Sequence, residues 1–230
     1  MKAMVLKAAN TAFVLDTVPD PVPGPGEAVA RVLACGSGLT IQHVKAGRLS
    51  AKFPRIIGHE ITGEIVEVGP AVTGLAVGVP VTAYYYLNCG HCRWCLSGLE
   101  PLCEAGEGNV GKDCDGGYAE YIKLPSSNFI PLPERLDYKT YPAEIGVITD
   151  ALATPLKVLK RGRIKAGETI AVFGAGGGLG IHMLMMAHWA HTRVIAVDVA
   201  VSKLDACREA GADETVDATA GNVTDTLLEL

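Results

Sequence analysis

The chain has 230 residues, of which 49% are hydrophobic and 20% charged, and its formal net charge is −5. This composition supports a packed core and excludes a disordered chain. The absence of a basic stripe argues against nucleic acid and anionic membranes as partners. The first residues lack the apolar core of a signal peptide, and no run of about eighteen apolar residues could span a membrane. We therefore expect a cytoplasmic protein without a nucleic-acid or membrane partner.

The part of the chain before about residue 130 is predicted to be β-rich. Alternating apolar residues predict strands at 2–8, 28–34, 61–68, 79–86 and 118–124. The alternating prolines of 19–25 favour an extended linker rather than a helix. The segment Cys35–Gly38 is predicted to form a turn or a short helix. Short strands joined by turns indicate a barrel-like or sandwich-like domain.

A cluster of cysteines follows the fourth of these strands: Cys89, Cys92, Cys95 and Cys103. Four thiolates on one short loop suit a single tetrahedral zinc ion with no open position, which stabilises the fold and does no chemistry. Two disulfides are disfavoured in a chain without an export signal, whereas an iron–sulfur cluster stays possible. His91, between two of the cysteines, is predicted to be a solvated loop residue. The sequence therefore favours a structural zinc lobe at residues 88–104.

The hydrophobic pattern changes after Pro133. Helical spacing runs from 141 to 160, with a break or kink at Pro155. Beyond it, buried strands are predicted at 169–173 and 193–198, helices to about residue 190 and at 202–210, and the start of a third strand at 215–216. This order predicts the first half of a dinucleotide-binding sheet. Because the second half has no room before Leu230, we expect a truncated or partial chain.

A glycine-rich loop joins the first of these strands to its helix. The candidate cofactor-binding residues there are Gly174, Gly176, Gly177, Gly178, Leu179 and Gly180. Backbone N–H groups at such a junction can hold a pyrophosphate, although the glycines fit G-x-x-G-x-x-G and not the strict G-x-G-x-x-G. Asp198 ends the next strand, where a carboxylate accepts hydrogen bonds from ribose and repels a 2′-phosphate. We predict NAD rather than NADP, a preference that Lys203 softens. The alternative is a tight turn with a helix-capping acid.

Three further potential metal ligands are far apart in the sequence. Cys35 ends a strand, His59 precedes one, and Asp150 lies in the later amphipathic segment, where an ionised carboxylate is costly to bury. One thiolate, one imidazole and one carboxylate would leave a fourth zinc position open for a substrate oxygen. Spacing alone leaves the alternative open, with a buried thiol, a turn residue and a helix cap.

Several motifs occur in a recognisable order: PDPVPGPGE, C-G-S at 35–37, G-H-E at 58–60, the four-cysteine lobe, G-G-Y-A-E-Y, and the glycine loop before V-I-A-V-D. With them the chain resembles the zinc-dependent alcohol dehydrogenases of the medium-chain dehydrogenase/reductase family over essentially its whole length. The resemblance implies a GroES-like β-barrel catalytic domain at 1–153 and an incomplete Rossmann NAD-binding domain at 154–230.

The resemblance also implies residue roles. Cys35 and His59 match the first two ligands of a catalytic zinc, and Asp150 looks like the aspartate form of the third. Glu60 matches the acid beside the histidine ligand, and Ser37 matches the hydroxyl that takes the substrate proton. The resemblance implies two zinc ions per chain, one catalytic and one structural, and hydride transfer between a primary or secondary alcohol, or the corresponding carbonyl compound, and NAD. Family members form dimers or tetramers through an edge that lies outside this chain.

Departures from the family pattern keep other functions open. Gly38 stands at the position where the family usually has an aspartate that supports the zinc site. Thr40 replaces the relay histidine that is common in the family, although His43 is close in the sequence. Val79 replaces the aspartate of the family's G-D-x-V motif. The glycine loop is one residue longer than usual and looks like that of quinone reductases. The alternatives are a non-catalytic, zinc-stabilised binding or structural protein, and a quinone or enoyl reductase.

The substrate is not identified by the sequence. Three consecutive tyrosines, Tyr84, Tyr85 and Tyr86, precede the four-cysteine lobe. An aromatic wall beside the catalytic zinc would favour apolar or aromatic alcohols over polyols, and packing in the core is an equal alternative. Because side chains alternate along a strand, at most two of the tyrosines would face the same way.

Overall fold

The computed structural model describes residues Met1 to Leu230 and divides into two compact units, Met1–Thr149 and Asp150–Leu230. The first unit is β-rich and the second contains alternating strands and helices. The boundary predicted after residue 153 falls just inside the second unit. None of the seven α-helices is both long and apolar enough to cross a membrane.

The first unit is built from ten short strands and three α-helices. The strands are β1 (Lys2–Leu6), β2 (Phe13–Thr17), β3 (Glu27–Cys35), β4 (Arg55–Ile56), β5 (Ile61–Val68), β6 (Pro80–Ala83), β7 (Tyr86–Leu87), β8 (Gly108–Asn109), β9 (Tyr121–Pro125) and β10 (Phe129–Pro131). The helices are α1 (Leu39–Lys45), α2 (Arg93–Leu96) and α3 (Pro142–Gly146), and short 3₁₀ helices lie at Glu100–Leu102, Ser126–Asn128 and Val147–Thr149.

Two antiparallel sheets and a ribbon organise this unit. The five-stranded sheet has the order β10-β6-β5-β3-β9, the three-stranded sheet has the order β2-β1-β4, and β7 pairs with β8. Register shifts between Val29 and Ala30, and again between Val32 and Ala34, bend β3 against β5, as bulges do. The main core of the unit lies on the larger sheet and includes Ala28, Ala30, Ile61, Ile65, Val81, Ile122, Leu124 and Phe129.

The single strand predicted at 79–86 was wrong. The chain leaves the sheet after β6 and resumes pairing only at β7, because a side chain from elsewhere takes the intervening backbone groups. The buried Asn128 amide donates to the carbonyls of Tyr84 and Tyr86, both at 2.9 Å, and the Tyr84 N–H donates to the Asn128 carbonyl at 2.7 Å. Asn128 therefore stabilises a turn that presents the three tyrosines.

Replacing Asn128 by alanine is expected to lower the free energy of unfolding of the first unit by about 2 to 3 kcal/mol. The change leaves the Tyr84 carbonyl without its donor and takes one of two donors from the Tyr86 carbonyl, and a buried group that loses its partner costs about 1 to 3 kcal/mol. Urea denaturation followed by tryptophan fluorescence measures the loss. A variant as stable as the wild type would contradict this role of Asn128.

The predicted strand at 118–124 begins later than expected. Residues before β9 pair with β1 instead: the Tyr118 carbonyl accepts the Met4 N–H at 2.8 Å, and the Glu120 N–H donates to the Lys2 carbonyl at 3.1 Å. The chain then crosses to β3 and continues as β9. The crossing leaves Tyr118 at the junction of the two sheets. The strand at Phe13–Thr17 was not predicted, whereas the extended proline segment after it was.

The second unit forms a three-stranded parallel sheet with helices on both faces. Its strands are β11 (Thr169–Phe173), β12 (Arg193–Asp198) and β13 (Glu214–Asp217), in that spatial order, and its helices are α4 (Ala153–Gly162), α5 (Gly178–Trp189), α6 (Leu204–Glu209) and α7 (Val223–Glu229). Helices α5 and α6 pack on one face through Leu184, Ala187 and Cys207, and α7 packs on the other beside Ile195 and Val216. This is the predicted βαβαβ order.

Two details of this unit differ from the predictions. Pro155 does not break a helix: it lies in the first turn of α4, where a missing N–H costs nothing, and the chain turns just before it at 150–152. Strand β11 was predicted to be buried, but Phe173 is 64% exposed. The strand is at the edge of the sheet, with β12 as its one neighbouring strand.

Candidate functional site

The four cysteines of the lobe converge on one point. Their sulfur atoms all lie within 4.8 Å of one another. The Sγ–Sγ distances are 3.5 Å for Cys92 and Cys95, and 3.9 Å for both Cys89–Cys95 and Cys92–Cys103. Four sulfurs about 2.3 Å from a tetrahedral ion would be about 3.8 Å apart. The donor set and its spacing therefore fit one zinc ion.

Backbone N–H groups donate hydrogen bonds to sulfur atoms of this cluster, which favours the thiolate form that binds a cation. The Cys89 N–H donates to the Cys103 sulfur at 3.4 Å. The Cys95 and Glu104 N–H groups lower the pKa of the Cys92 thiol to about 6, whereas burial and the neighbouring sulfurs raise the pKa of Cys95 to about 12. Ionising one sulfur opposes ionising the next, so the thiols titrate as a group. A divalent cation among them would hold all four as thiolates.

The outer surface of the lobe carries an arrangement that the sequence analysis missed. The Arg93 guanidinium lies over the Trp94 ring, 4.7 Å from its centre. Both side chains donate to the same Glu104 oxygen, from Arg93 Nε at 3.0 Å and from Trp94 Nε1 at 3.1 Å. Glu104 follows the last cysteine, so this contact ties the two ends of the lobe together. His91 is exposed and its Nδ1 is 2.7 Å from the Cys89 carbonyl oxygen.

Cys35 lies at the end of β3, where the backbone at Gly58 and at Gly117 approaches its sulfur atom closely. A Cβ atom at Gly58 would lie 2.7 Å from the Cys35 sulfur, and one at Gly117 would lie 2.9 Å from it. Gly58 also has a φ of +101°, which a residue with a side chain rarely adopts. Burial raises the pKa of the Cys35 thiol to about 12, against the Glu60 N–H, which lowers it. Only glycines allow two loops to approach this sulfur so closely.

The neighbouring residues His59 and Glu60 are buried, with 4% of each exposed. The His59 ring lies against Tyr85, with ring centres 4.4 Å apart. The Glu60 carbonyl accepts the Gly36 N–H at 2.8 Å, which joins the G-H-E segment to the loop after Cys35. A Cβ at Gly36 would lie 2.4 Å from a Glu60 carboxylate oxygen. The first unit therefore brings the Glu60 carboxylate to the loop that follows Cys35, and the His59 imidazole packs on Tyr85.

Gly38, where the family usually has an aspartate, faces the same carboxylate. A Cβ atom there would be 3.5 Å from Glu60 Oε2. An acidic side chain at this position would therefore stand beside a second acid. Asp150, the third predicted ligand, is the first residue of the second unit. Its Oδ1 accepts the Thr154 hydroxyl at 3.2 Å, and its carbonyl accepts the Thr154 N–H at 2.9 Å, from the first turn of α4.

Tyr118 is a residue of this site that the sequence analysis did not select. A Cβ at Gly58 would be 2.7 Å from its ring, and its hydroxyl donates to the Gly36 carbonyl at 3.3 Å. Burial raises the pKa of Tyr118, and a hydrogen bond with the Ser37 hydroxyl opposes that rise. Ser37 itself is exposed in the loop between β3 and α1. The G-G-Y motif was the signal that could have found Tyr118, because its glycines mark a close approach.

The glycine loop of the second unit forms a tight strand-to-helix turn. Gly174 has a φ of +68°, and Gly177 is the N-cap of α5, with no side chain capping the helix. A Cβ at Gly180 would lie 2.3 Å from the Gly174 carbonyl oxygen and 2.6 Å from that of Ala175. The first N–H groups of α5 are therefore left for an anion, at the end of a helix twelve residues long.

Asp198 fixes this loop to the next strand. The carboxylate is buried and accepts the Gly176 N–H at Oδ2 and the Ala200 N–H at Oδ1, both at 2.8 Å. The Ala200 N–H in particular lowers the pKa of Asp198, so that it is ionised at neutral pH. A Cβ at Gly176 would be 2.6 Å from the Cβ of Lys203, which places that lysine beside the loop. The sequence analysis did not foresee that Asp198 holds the loop in shape.

Comparison with known proteins identifies the family of the chain. Residues 24–134 match the family described as the alcohol dehydrogenase GroES-like domain. An alcohol dehydrogenase of Geobacillus stearothermophilus is 38% identical over 94% of this chain, and an L-threonine 3-dehydrogenase of Xanthomonas axonopodis is 31% identical over 100% of it. A cobalt- and zinc-bound thermostable alcohol dehydrogenase from Pyrobaculum aerophilum matches 94% of the chain with 34% identity and a TM-score of 0.85, covering 65% of that structure.

The chain is shorter than these relatives. It spans 63% of the Geobacillus enzyme and 67% of the Xanthomonas enzyme. The predicted fold class is confirmed: a GroES-like β domain is followed by part of a Rossmann sheet. The identity to these relatives extends along the whole chain, and the fold is shared with the solved structure. The chain belongs to the alcohol dehydrogenases of the medium-chain dehydrogenase/reductase family.

Proposed function

We propose that this chain is part of a zinc-dependent oxidoreductase that transfers a hydride between an alcohol, or the corresponding aldehyde or ketone, and NAD. The observation that carries the proposal is the glycine cradle around the half-buried Cys35 thiol, in the unit that also buries the side chains of His59 and Glu60. Burying a thiol, an imidazole and a carboxylate together is costly unless a cation or hydrogen bonds compensate them. Buried ionisable groups of this kind are typical of active sites.

Cys35 and His59 would hold the catalytic zinc, with Asp150 as the third ligand predicted from the sequence. Zinc in such a site stabilises negative charge on an oxygen, and NAD accepts a hydride. Tyr85 packs against His59 and would limit the rotation of the imidazole ring. Ser37 carries the hydroxyl that would take the proton of the substrate. The four-cysteine lobe would hold the second, structural zinc.

The cofactor preference follows from the glycine loop and Asp198. The loop backbone and the N-terminus of α5 would bind the pyrophosphate. Asp198 is ionised, and its charge would oppose the 2′-phosphate of NADP, which favours NAD. Lys203, beside Gly176, would moderate that preference. Because the two oxygens of Asp198 already accept backbone N–H groups, their remaining lone pairs would have to serve the ribose.

Other parts of the proposal concern substrate, assembly and location. The ring contact between Tyr85 and His59 supports an aromatic wall near the reacting carbon, which favours apolar or aromatic alcohols.

The proposal includes a homo-oligomer, either a dimer or a tetramer, because members of the family form such oligomers. All seven cysteines are free in the structure, which supports a reducing compartment such as the cytoplasm.

A second candidate is a zinc-stabilised binding or structural protein without turnover. Gly38 favours it, because the carboxylate that usually supports the zinc site is absent and such support affects metal affinity. The proximity of Glu60 to this position opposes it, since that side chain already supplies one buried acid there. The two candidates differ in the number of zinc ions and in NADH binding.

Metal analysis tests the proposal. The wild-type chain should bind two zinc ions, and Cys35→Ser should bind one and lose any alcohol oxidation, because serine is a poor ligand for zinc. Cys114→Ser is the matched control: its half-buried thiol donates to the Asp115 carbonyl outside the site, so both zinc ions should remain. Zinc is measured by plasma emission and NADH binding by fluorescence. A wild-type chain with one zinc ion and no NADH binding would leave the second candidate standing.

A further inference from the structure

The chain that returns from the four-cysteine lobe, residues 107–111, is fixed to the chain that enters it. In this return segment, strand β8 pairs with β7, the strand that leads into the lobe. The Glu107 N–H also donates to the Leu87 carbonyl at 2.9 Å. The entering and returning chains therefore form a short ribbon, and the lobe at 88–104 lies at its end.

The return segment contacts two neighbours of His59. The Val110 N–H donates to the Tyr85 carbonyl at 3.0 Å, and the Tyr85 ring lies against the His59 imidazole, with centres 4.4 Å apart. A Cβ atom at Gly111 would lie 2.7 Å from the Gly58 carbonyl oxygen and 2.8 Å from the Gly58 nitrogen. The return segment therefore packs on the residue before His59 and holds the residue whose ring covers its imidazole.

A second connection runs through the residue that precedes the first cysteine. The Asn88 amide donates to the Tyr86 carbonyl at 3.4 Å, and the Cys95 sulfur lies 3.8 Å from Asn88 Oδ1. The Tyr86 ring in turn meets the Tyr85 ring edge to face, with centres 4.9 Å apart. The position of a lobe sulfur is therefore linked to Tyr85 by side-chain contacts as well as by the backbone.

The ribbon by itself is too short to be stable. Strands β7 and β8 have two residues each, and a two-stranded ribbon alone is marginally stable at best. Cys89 follows β7 and Cys103 precedes β8, so a metal ion bound by both would close the end of the ribbon. The order of the ribbon, and with it the support of Tyr85, therefore depends on metal in the lobe.

We propose that the return segment couples the lobe to the site of Cys35 and His59, with Tyr85 as the positioning residue that holds the His59 imidazole in the orientation that binds metal. The inference rests on the proposed function, because it concerns the metal that His59 would bind. Coupling between two binding sites is reciprocal. Metal at Cys35 and His59 should therefore tighten metal binding in the lobe by the same factor.

Reciprocity gives a first test in the full chain. Cys35→Ser should weaken zinc binding in the lobe about 10-fold, within the range of about 5- to 150-fold that is typical of coupled sites. Tyr85→Leu should have the same effect, and Tyr85→Phe, which keeps the ring, should have none. The combined variant of Cys35→Ser and Tyr85→Leu should be no weaker than either single change. Competition with a chromophoric chelator measures the affinity, and Cys114→Ser is the control.

A second test measures the opposite direction without turnover. Cobalt(II) bound by a thiolate absorbs visible light, so its affinity for the site of Cys35 and His59 can be titrated. Cys92→Ser should weaken this affinity about 10-fold, as loss of support behind a metal ligand does. The signal of a chain that carries both Cys92→Ser and Cys35→Ser is subtracted, because three lobe thiols remain. Trypsin cleavage after Arg93 verifies that the lobe is open.

The outcomes separate this inference from the proposed function. If the wild type binds two zinc ions and neither Cys35→Ser nor Tyr85→Leu changes the affinity of the lobe, the two sites are independent. The inference is then wrong, and the proposed function stands. If the effects of the two changes multiply in the combined variant, Tyr85 is not the connection and the inference is again wrong. If the wild type binds zinc in the lobe alone, the proposed function fails and the inference fails with it.

Discussion

Replacing Cys92 by serine is expected to open the lobe at residues 88–104 and to expose it to trypsin. No residue of this segment is buried, α2 has four residues, and Leu96 and Leu102 are 76% and 55% exposed. The lobe therefore has no apolar core of its own and depends on its metal ion. Structural zinc contributes about 10 kcal/mol or more to the folding of small zinc-binding peptides, and that contribution is lost when one of the ligands is removed.

The chain offers a convenient probe for this opening, because Arg93 is the one trypsin site within the lobe. Cleavage of a locally opened segment follows the population of the open form. Losing even part of the zinc energy should raise the cleavage rate after Arg93 at least about 1,000-fold. Chelating the zinc from the wild type should have the same effect, and Cys114→Ser should have none. A Cys92→Ser chain as resistant as the wild type would show that the lobe is not held by metal.

Replacing Gly180 by alanine is expected to destabilise the second unit by about 3 kcal/mol and to weaken NADH binding more than about 10-fold. The new methyl group would lie 2.3 Å and 2.6 Å from two backbone carbonyl oxygens. Backbone atoms of a tight turn cannot rotate away as a side chain can, so α5 would have to move from the loop. That movement would displace the N–H groups that we propose for the pyrophosphate.

Gly178 provides the matched control for this change. It occupies the first turn of the same helix, and a Cβ atom there would meet nothing within 4 Å. Gly178→Ala should therefore leave the unit as stable or stabilise it by about 0.5 kcal/mol through the lower entropy of the unfolded chain. Urea denaturation measures both variants. If the two alanine variants are equally stable, the close approach of α5 to the loop is not what requires glycine at position 180.

Local sequence patterns correctly predicted those strands whose position is specified by the hydrophobic pattern of their own segment. The strands at 61–68, 169–173 and 193–198 have the residue bounds that hydrophobic periodicity predicts. Elsewhere contacts from distant residues overrode the pattern. Asn128 interrupts the strand expected at 79–86, and pairing with β1 delays β9. Local propensity cannot report a hydrogen bond from a side chain more than forty residues away.

The sequence by itself determined the four-cysteine lobe and the glycine loop, because their chemistry needs residues that are close together in the chain, and it determined the family through the order of short motifs along the chain. The tertiary structure alone decided what surrounds Cys35. Three loops from separate parts of the first unit meet there, and glycines at 58 and 117 make the approach possible. Tyr118 is recognised as part of this site only in the folded structure, because its hydroxyl contacts Gly36, which is 82 positions away in the sequence. Spacing specifies a ligand set within one loop, whereas packing specifies which loops share a site.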